Sequence, residues 1–336
     1  MNNFFVIITT IQSPTSAMRC LNQKLTVEGA QLIVIGDQKG PSEYNLPATQ
    51  FWNLDLQLSS PYTLAQQLPT GHYTRKNLGY LEAIRQGADC IYETDDDNAP
   101  LPSWDLRSQQ VEAHTVNQSG WVNVYRYFSN DRIWPRGFPL DCLIESFANH
   151  IPLQIQPKLV QAPIQQGLAN GSPDVDAIWR LVLDQPFTFE NKPSIYLPPS
   201  SWCPFNSQST WWWPVAYPLM YLPSYCSFRM TDIWRSFIAQ RCLWELGYGI
   251  VFHPPEVEQE RNAHNLMKDF EDEVSGYLNN ASLVNTLKKV ELRPGEYNVT
   301  NNLIKCYDSL VKENILHQKE LMLLNAWVAD LNAIQY

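Results

Sequence analysis

Three short apolar runs in the first hundred residues each give way to polar or acidic sequence. Residues 4–8 precede Thr9-Thr10, residues 32–35 precede Gly36-Asp37, and Cys90-Ile91-Tyr92 precedes Glu93 and a row of aspartates. Runs of this length, bounded by polar residues, predict buried strands. Between the second and third, Leu78, Leu81, Ile84 and Ala88 recur at helical spacing across residues 74–86. Thr74 stands where a cap belongs and Gly87 just past the end. Strands alternating with helices predict an α/β fold with a parallel sheet, and such sheets bind ligands beyond the carboxyl ends of their strands. Thr9, Thr10, Asp37 and Asp95-Asp96-Asp97 all fall at those ends.

Residues 103–223 are less regular and rich in Pro and Trp, as in Trp134-Pro135-Arg136-Gly137 and Trp211-Trp212-Trp213-Pro214, which predicts loops and short strands. A helix follows, with Thr231 as its cap, Asp232 at its positive end, Ile233, Phe237, Ile238 and Leu246 on its apolar side and Gly247 as its stop. After His253-Pro254-Pro255 the composition turns polar and helix-like, with Leu303, Leu310, Leu321, Leu323 and Leu324 supplying apolar faces. The expected division is an α/β domain over residues 1–255 and a small helical region over 256–336.

Composition narrows the partners. The chain has 336 residues with 24 Lys+Arg against 34 Asp+Glu, a formal net charge of −10, and no basic stripe. Duplex nucleic acid and anionic membranes reward clustered cations, so neither is expected. The first apolar run is broken by Thr9-Thr10 and has no positive residue before it, which fits neither a signal peptide nor a membrane span. Seven scattered cysteines without a C-x-x-C pair fit reduced thiols in a cytoplasmic protein better than disulfides or zinc. The six histidines form no zinc motif, and no G-x-S-x-G, Walker A or G-x-G-x-x-G pattern occurs.

The sharpest chemistry lies in Glu93-Thr94-Asp95-Asp96-Asp97-Asn98. Consecutive carboxylates repel unless solvated or neutralised by a cation. On an extended backbone Asp95 and Asp97 point one way and Asp96 the other, so that pair suits a hard divalent ion, Mn2+ or Mg2+, beside a nucleotide diphosphate. The plain alternative is a solvated acidic turn. Asp37 is placed to bond a base or ribose, or else to start a turn. Arg75 and Lys76 open a helix, where cations oppose the helix dipole unless an anion lies close by, which makes them candidates for a diphosphate. Ser172-Pro173 reads as a helix start with Asp174 and Asp176 in the first turn, either complementing the dipole or serving as a general base toward an acceptor hydroxyl. Arg136 offers a bidentate fork for phosphate or carboxylate. Trp134 and part of Trp211-Trp212-Trp213 are candidates for an acceptor groove, core packing being their other fate.

In order along the chain, Arg75-Lys76-Asn77-Leu78-Gly79-Tyr80, the acidic strand, Trp134-Pro135-Arg136-Gly137 with Pro139-Leu140, residues 165–176 and residues 240–247 resemble the STELLO glycosyltransferase-like family, over residues 5–255. The resemblance implies a GT-A-type nucleotide-sugar fold with an acidic motif related to that of the UDP-arabinopyranose mutases. It also implies a metal-assisted diphosphate site, with Asp95, Asp96 and Asp97 as the D-x-D region, Arg75 and Lys76 on the donor side and Asp174 near the acceptor. The acidic stretch differs from that of the family, which leaves Asp97, Asp95 and Glu93 open as the main metal ligand. Plant members are anchored in Golgi membranes, a localisation not carried over because the sequence shows no anchor, and residues after 256 lie outside the resemblance. The expected function is metal-dependent transfer of a sugar from a nucleotide-sugar, UDP-linked, to a hydroxyl acceptor, with Asp174 as base. The alternatives are a nucleotide-sugar mutase and a non-catalytic glycan- or protein-binding scaffold.

Overall fold

The computed structural model describes residues 3–260 and 265–334, a mixed α/β structure with helices on both faces of a long central sheet. The apolar runs are strands, as expected. β1 (Phe4–Thr9), β2 (Gln31–Ile35), β3 (Thr49–Trp52) and β4 (Cys90–Thr94) lie parallel in the order β3-β2-β1-β4. Alternation decides what covers each face. Phe4, Val6 and Ile8 share a core with Met18, Leu21 and Leu25 of helix α1 (Ser16–Glu28), while Phe5 and Ile7 belong to the larger core on the other face.

After β3, α2 (Leu54–Leu58) and α3 (Thr63–Gln67) lead to α4 (Lys76–Arg85). Thr74 does not cap α4. A 3-10 turn over Tyr73–Arg75 precedes the helix, and the Thr74 hydroxyl is bonded to the His72 ring and the Ser224 hydroxyl. α4 lies close on the sheet because Gly79 has no side chain: a Cβ there would sit 2.5 Å from Ile7 Cγ2.

The later strands are β5 (Asn98–Pro100), β6 (Gln110–Thr115), β7 (Gly120–Trp121), β8 (Lys158–Gln161), β9 (Ile164–Gly171), β10 (Ile195–Leu197), β11 (Ser201–Trp202), β12 (Ser209–Trp212) and β13 (Ile250–Gln259). They extend the sheet in the order β4-β12-β9-β13-β10-β6-β8, with β5 on β13 and β7 paired separately with β11. β12 runs antiparallel between β4 and β9. A central sheet that opens with a parallel set and carries helices on both faces is the α/β arrangement that the sequence led us to expect. Trp211 and Trp212 on β12 are wholly buried, one in each core, so they line no groove.

Three helices, α5 (Leu143–Ala148), α6 (Ala177–Val182) and α7 (Thr231–Trp244), interrupt the second half. Met230, not Thr231, holds the cap position of α7, because a 3-10 turn at Phe228–Met230 runs straight into the helix. α8 (Leu266–Lys289), α9 (Val299–Lys312) and α10 (Glu320–Ile334) follow, and their Leu283, Leu303, Leu310, Leu324 and Trp327 join the larger core with Phe237 of α7. β13 itself runs through residue 255. Asp330 of α10 accepts hydrogen bonds from the Thr63 and Leu64 amides, each 2.8 Å, at the start of α3. Beneath the ends of the strands, Glu93 is fully buried and paired with Arg235 at 2.7 Å. Among the described residues no helix is long and apolar enough to cross a membrane. All seven cysteines are free thiols, Cys242 and Cys306 with sulfurs 3.8 Å apart.

Candidate functional site

The acidic row does not continue the strand. β5 folds back at once to pair with β13, so Asp96 and Asp97 occupy a turn, with the Asn98 amide donating to the Asp95 carbonyl at 3.4 Å. The strand-like alternation expected of Asp95, Asp96 and Asp97 is therefore absent, and all three carboxylates line one cavity of about 300 Å³. Each is held differently. Lys76 Nζ, wholly buried, donates to the Thr94 carbonyl at 2.8 Å and to Asp95 Oδ1 at 3.2 Å. The Thr10 hydroxyl donates to Asp96 Oδ2, and Gln259 Nε2 donates to both oxygens of Asp97 at 3.0 Å. Burial pushes the Asp95 carboxyl up to about 7 against the pull of Lys76, with Asp97 adding repulsion. Burial also raises Asp96, which the Thr10 hydrogen bond opposes.

The facing wall is built around Arg136. Its Nε and Nη2 donate to Asp174 at 2.7 and 2.8 Å, and Nη1 and Nη2 to Asp232 at 3.0 and 2.9 Å. Burial works against ionisation of Asp232, yet the guanidinium wins and holds that carboxyl below its ordinary value. The motif around Arg136 has a steric reason: Gly137 sits at φ +88°, where a Cβ would lie 2.3 Å from Ile233 Cγ2 of α7. Only glycine brings the Arg136 loop this close to the start of α7, where Asp232 stands. Arg180, Arg229, Asn206, Ser207 and Gln208 complete this side of the cavity.

A second cavity of about 370 Å³ adjoins the first at the ends of β1 and β2. Thr9, Tyr73, Asp96 and Phe228 line both, so the two form one cleft. The half-exposed Phe228 ring meets Tyr73 edge-on at 4.8 Å between them. Thr10, Asp37 and Arg75 line the second cavity, but Asp37 already accepts from the Gly71 and His72 amides at 2.9 and 3.0 Å. Arg75 is buried and donates to Gln57 Oε1 at 2.6 Å and to the Leu68 carbonyl at 3.2 Å, tying the α2–α3 segment to α4.

Thr9, Asp95, Asp96, Asp97, Arg136 and Asp174 thus meet in one cavity, Thr10, Asp37 and Arg75 lie in the next, and Lys76 sits beneath the acidic turn. The anion that Lys76 needs at the helix start is Asp95 of the same chain. Three expectations are corrected. α6 begins at Ala177, so Asp174 precedes it and Asp176 is its cap, accepting from the Trp179 amide at 2.8 Å. Asp176 is wholly buried and also accepts from Trp134 Nε1 at 2.5 Å; burial pushes its carboxyl up to about 6. Trp134 is consequently core rather than groove, and Glu93, bonded to Arg235, Tyr80 and Trp212, lies below the cleft. Sequence reading missed Tyr73, Phe228, Arg229 and Gln259, and assigned Asp232 only to the helix dipole. The 3-10 turns that carry Tyr73 and Phe228 have no periodic signal, and Gln259 reaches Asp97 across a sheet pairing.

The acidic turn lies where the sheet passes from parallel to antiparallel pairing, and in sequence the chain is similar to glycosyltransferase-like proteins. Residues 229–336 match the family model of the STELLO glycosyltransferases. Along 99% of its length the chain is 27% identical to probable glycosyltransferase STELLO2 and to probable glycosyltransferase STELLO1, both of Arabidopsis thaliana. It spans less than half of those relatives, 45% and 44%. The family model covers the helical region expected to lie outside the resemblance, so the likeness runs nearly end to end. The crystal structure of M. tuberculosis glucosyl-3-phosphoglycerate synthase aligns with 84% of this chain and 81% of its own at 8% identity and a TM-score of 0.39, too loose a likeness to support an argument.

Proposed function

We propose that the chain is a metal-dependent glycosyltransferase using a nucleotide-sugar, UDP-linked, as donor. The observation that carries this reading is the continuity of the cleft: a cavity at the ends of β1 and β2 opens past Thr9 and Asp96 onto the acidic turn and then onto the Arg136–Asp174 wall. In this reading the nucleoside occupies the first part, the diphosphate the turn, and the acceptor the wall. Among the described residues no three His, Cys, Asp or Glu side chains converge on a metal position. Asp95 and Asp97 nevertheless offer hard oxygen donors on one acidic turn at the cavity. They would hold Mn2+ or Mg2+, which when bound supplies positive charge against the leaving diphosphate.

The chain's own groups do the rest. The acceptor oxygen forms a bond to the anomeric carbon as the bond to the diphosphate oxygen breaks, and Asp174 takes the acceptor proton, giving inversion. Arg136 fixes Asp174 through two parallel hydrogen bonds and so sets the direction of that transfer. A second reading, a scaffold that has lost transfer, is favoured by the partners the turn already has, Lys76 on Asp95 and Gln259 on both oxygens of Asp97.

One titration separates the two. Calorimetry of UDP, with GDP and CDP as controls, with and without Mn2+, is expected to show metal-dependent UDP binding that Asp95→Asn/Asp97→Asn abolishes. If no nucleotide binds, the transferase reading fails and the scaffold reading stands.

A further inference from the structure

Among the described residues three arginines line the cavity beside the acidic turn, and each is already engaged by its own chain. Arg136 fills its fork with Asp174 and Asp232. Arg229 donates through Nε and Nη2 to Glu273 Oε1 at 2.9 and 2.7 Å, and Glu273 is wholly buried on α8. Arg180, 5% exposed, donates through Nη2 to the Pro173 carbonyl at 2.5 Å. Drawing Arg136 or Arg229 away from these partners would strand a buried carboxylate. Against the three cations the same cavity carries five carboxylates, Asp95, Asp96, Asp97, Asp174 and Asp232. In the transferase reading a divalent ion offsets the donor's diphosphate. A negatively charged acceptor would instead meet like charge beside cations that are already taken.

What the cleft offers instead is an apolar ring. Phe228 is 49% exposed and lines both cavities where they meet. Its ring is flanked edge-on by Tyr73 at 4.8 Å and His72 at 5.2 Å. The turn that carries it is fixed on either side: the Ser227 hydroxyl donates to the Asp272 carbonyl of α8, and Arg136 Nη1 donates to the Arg229 carbonyl. A large apolar side chain held in place inside a polar cleft sheds its water only when a ligand covers it. Asn206, Ser207, Gln208 and Asp174 line the same cavity, and amides, hydroxyls and carboxylates exchange hydrogen bonds with ligand hydroxyls.

This combination has a definite chemistry. The C–H face of a pyranose packs on an aromatic ring while its hydroxyls bond polar groups around the rim. We infer that the acceptor is an uncharged saccharide, one pyranose ring packed on Phe228 with a hydroxyl directed at Asp174. The inference rests on the transferase reading and adds to it the chemical class of the acceptor and the residue that holds it.

The test is a saturation-transfer NMR titration of the full chain with β-1,4-mannotriose and β-1,4-glucotriose, each against the uronate trisaccharide of the same linkage. At least one neutral trisaccharide is expected to bind at least roughly tenfold tighter than its uronate. Phe228→Ala, at an exposed position, should weaken that binding at least about fivefold, and Phe228→Trp, which keeps a ring, should retain it. Adding UDP and Mn2+ should leave the saccharide bound, because donor and acceptor occupy different parts of the cleft. Binding of neither neutral trisaccharide, no preference over the uronates, indifference to Phe228→Ala, or displacement by UDP overturns the inference. The UDP calorimetry decides the underlying reading separately. If UDP binds and the neutral trisaccharides do not, only the acceptor inference fails; if UDP does not bind, the transferase reading fails and the acceptor assignment falls with it.

Discussion

With Asp174 on one side and Asp232 on the other, Arg136 is a charge that folding has removed from water. Removing it strands two recessed carboxylates, so Arg136→Met is expected to lower stability by about 3–5 kcal/mol, read from urea unfolding. Asp176 makes a pH-dependent contribution. Its folded carboxyl titrates near 6, above the ordinary carboxylate value of 3.8, so the native state holds a proton that the unfolded chain releases earlier. The stability that this proton confers is present at low pH and is lost as pH rises through the window from about 4 to 6. Asp176→Asn should therefore lose less stability than the wild type across that window, which Tm measured at half-unit pH steps will show; parallel curves would contradict it. The acidic row was legible because three adjacent carboxylates demand an explanation wherever they sit. Asp232 was not, since in sequence it looks like any acidic first-turn residue and only the approach of the Gly137 loop gives it Arg136 as partner.

Among the elements, α4 shows most plainly how spacing and packing divide the work. Leu78 and Leu81 announced the helix, and the sequence placed its end at Gly87, which indeed has φ +77°. What spacing did not reveal is that the helix touches the sheet through a position with no side chain. Gly79→Ala would drive a methyl into Ile7 and Ile35 and is expected to destabilise by about 1–3 kcal/mol despite alanine's better helix propensity, as measured by denaturant midpoint. Both misplaced caps, Thr74 and Thr231, have one cause. A 3-10 turn runs into each helix, so Thr74 is already inside its turn and Thr231 already inside its helix, and their hydroxyls serve other partners, Ser224 and Cys226.

At the level of the whole molecule, the sheet and the polar helical tail were both readable from period and composition, but their docking was not. Apolar residues on α8, α9 and α10 mark faces without naming what those faces meet. They meet the same core as α7, so a chain ending at residue 259 exposes the partners of Leu324 and Trp327. Such a truncation is expected to lose its cooperative unfolding transition and most of its near-ultraviolet circular dichroism, and retention of both would show that residues 3–259 fold alone.

The Asp330 contact at the start of α3 joins positions 267 residues apart. During translation, at about 5–20 residues per second, that interval amounts to roughly 13–53 seconds. For that time the emerging first third of the chain lacks the carboxylate that closes its third helix, and its apolar surface waits for helices not yet synthesised. The start of α3 is thus completed only once residue 330 has been made, and until then the nascent chain is a natural client for chaperones.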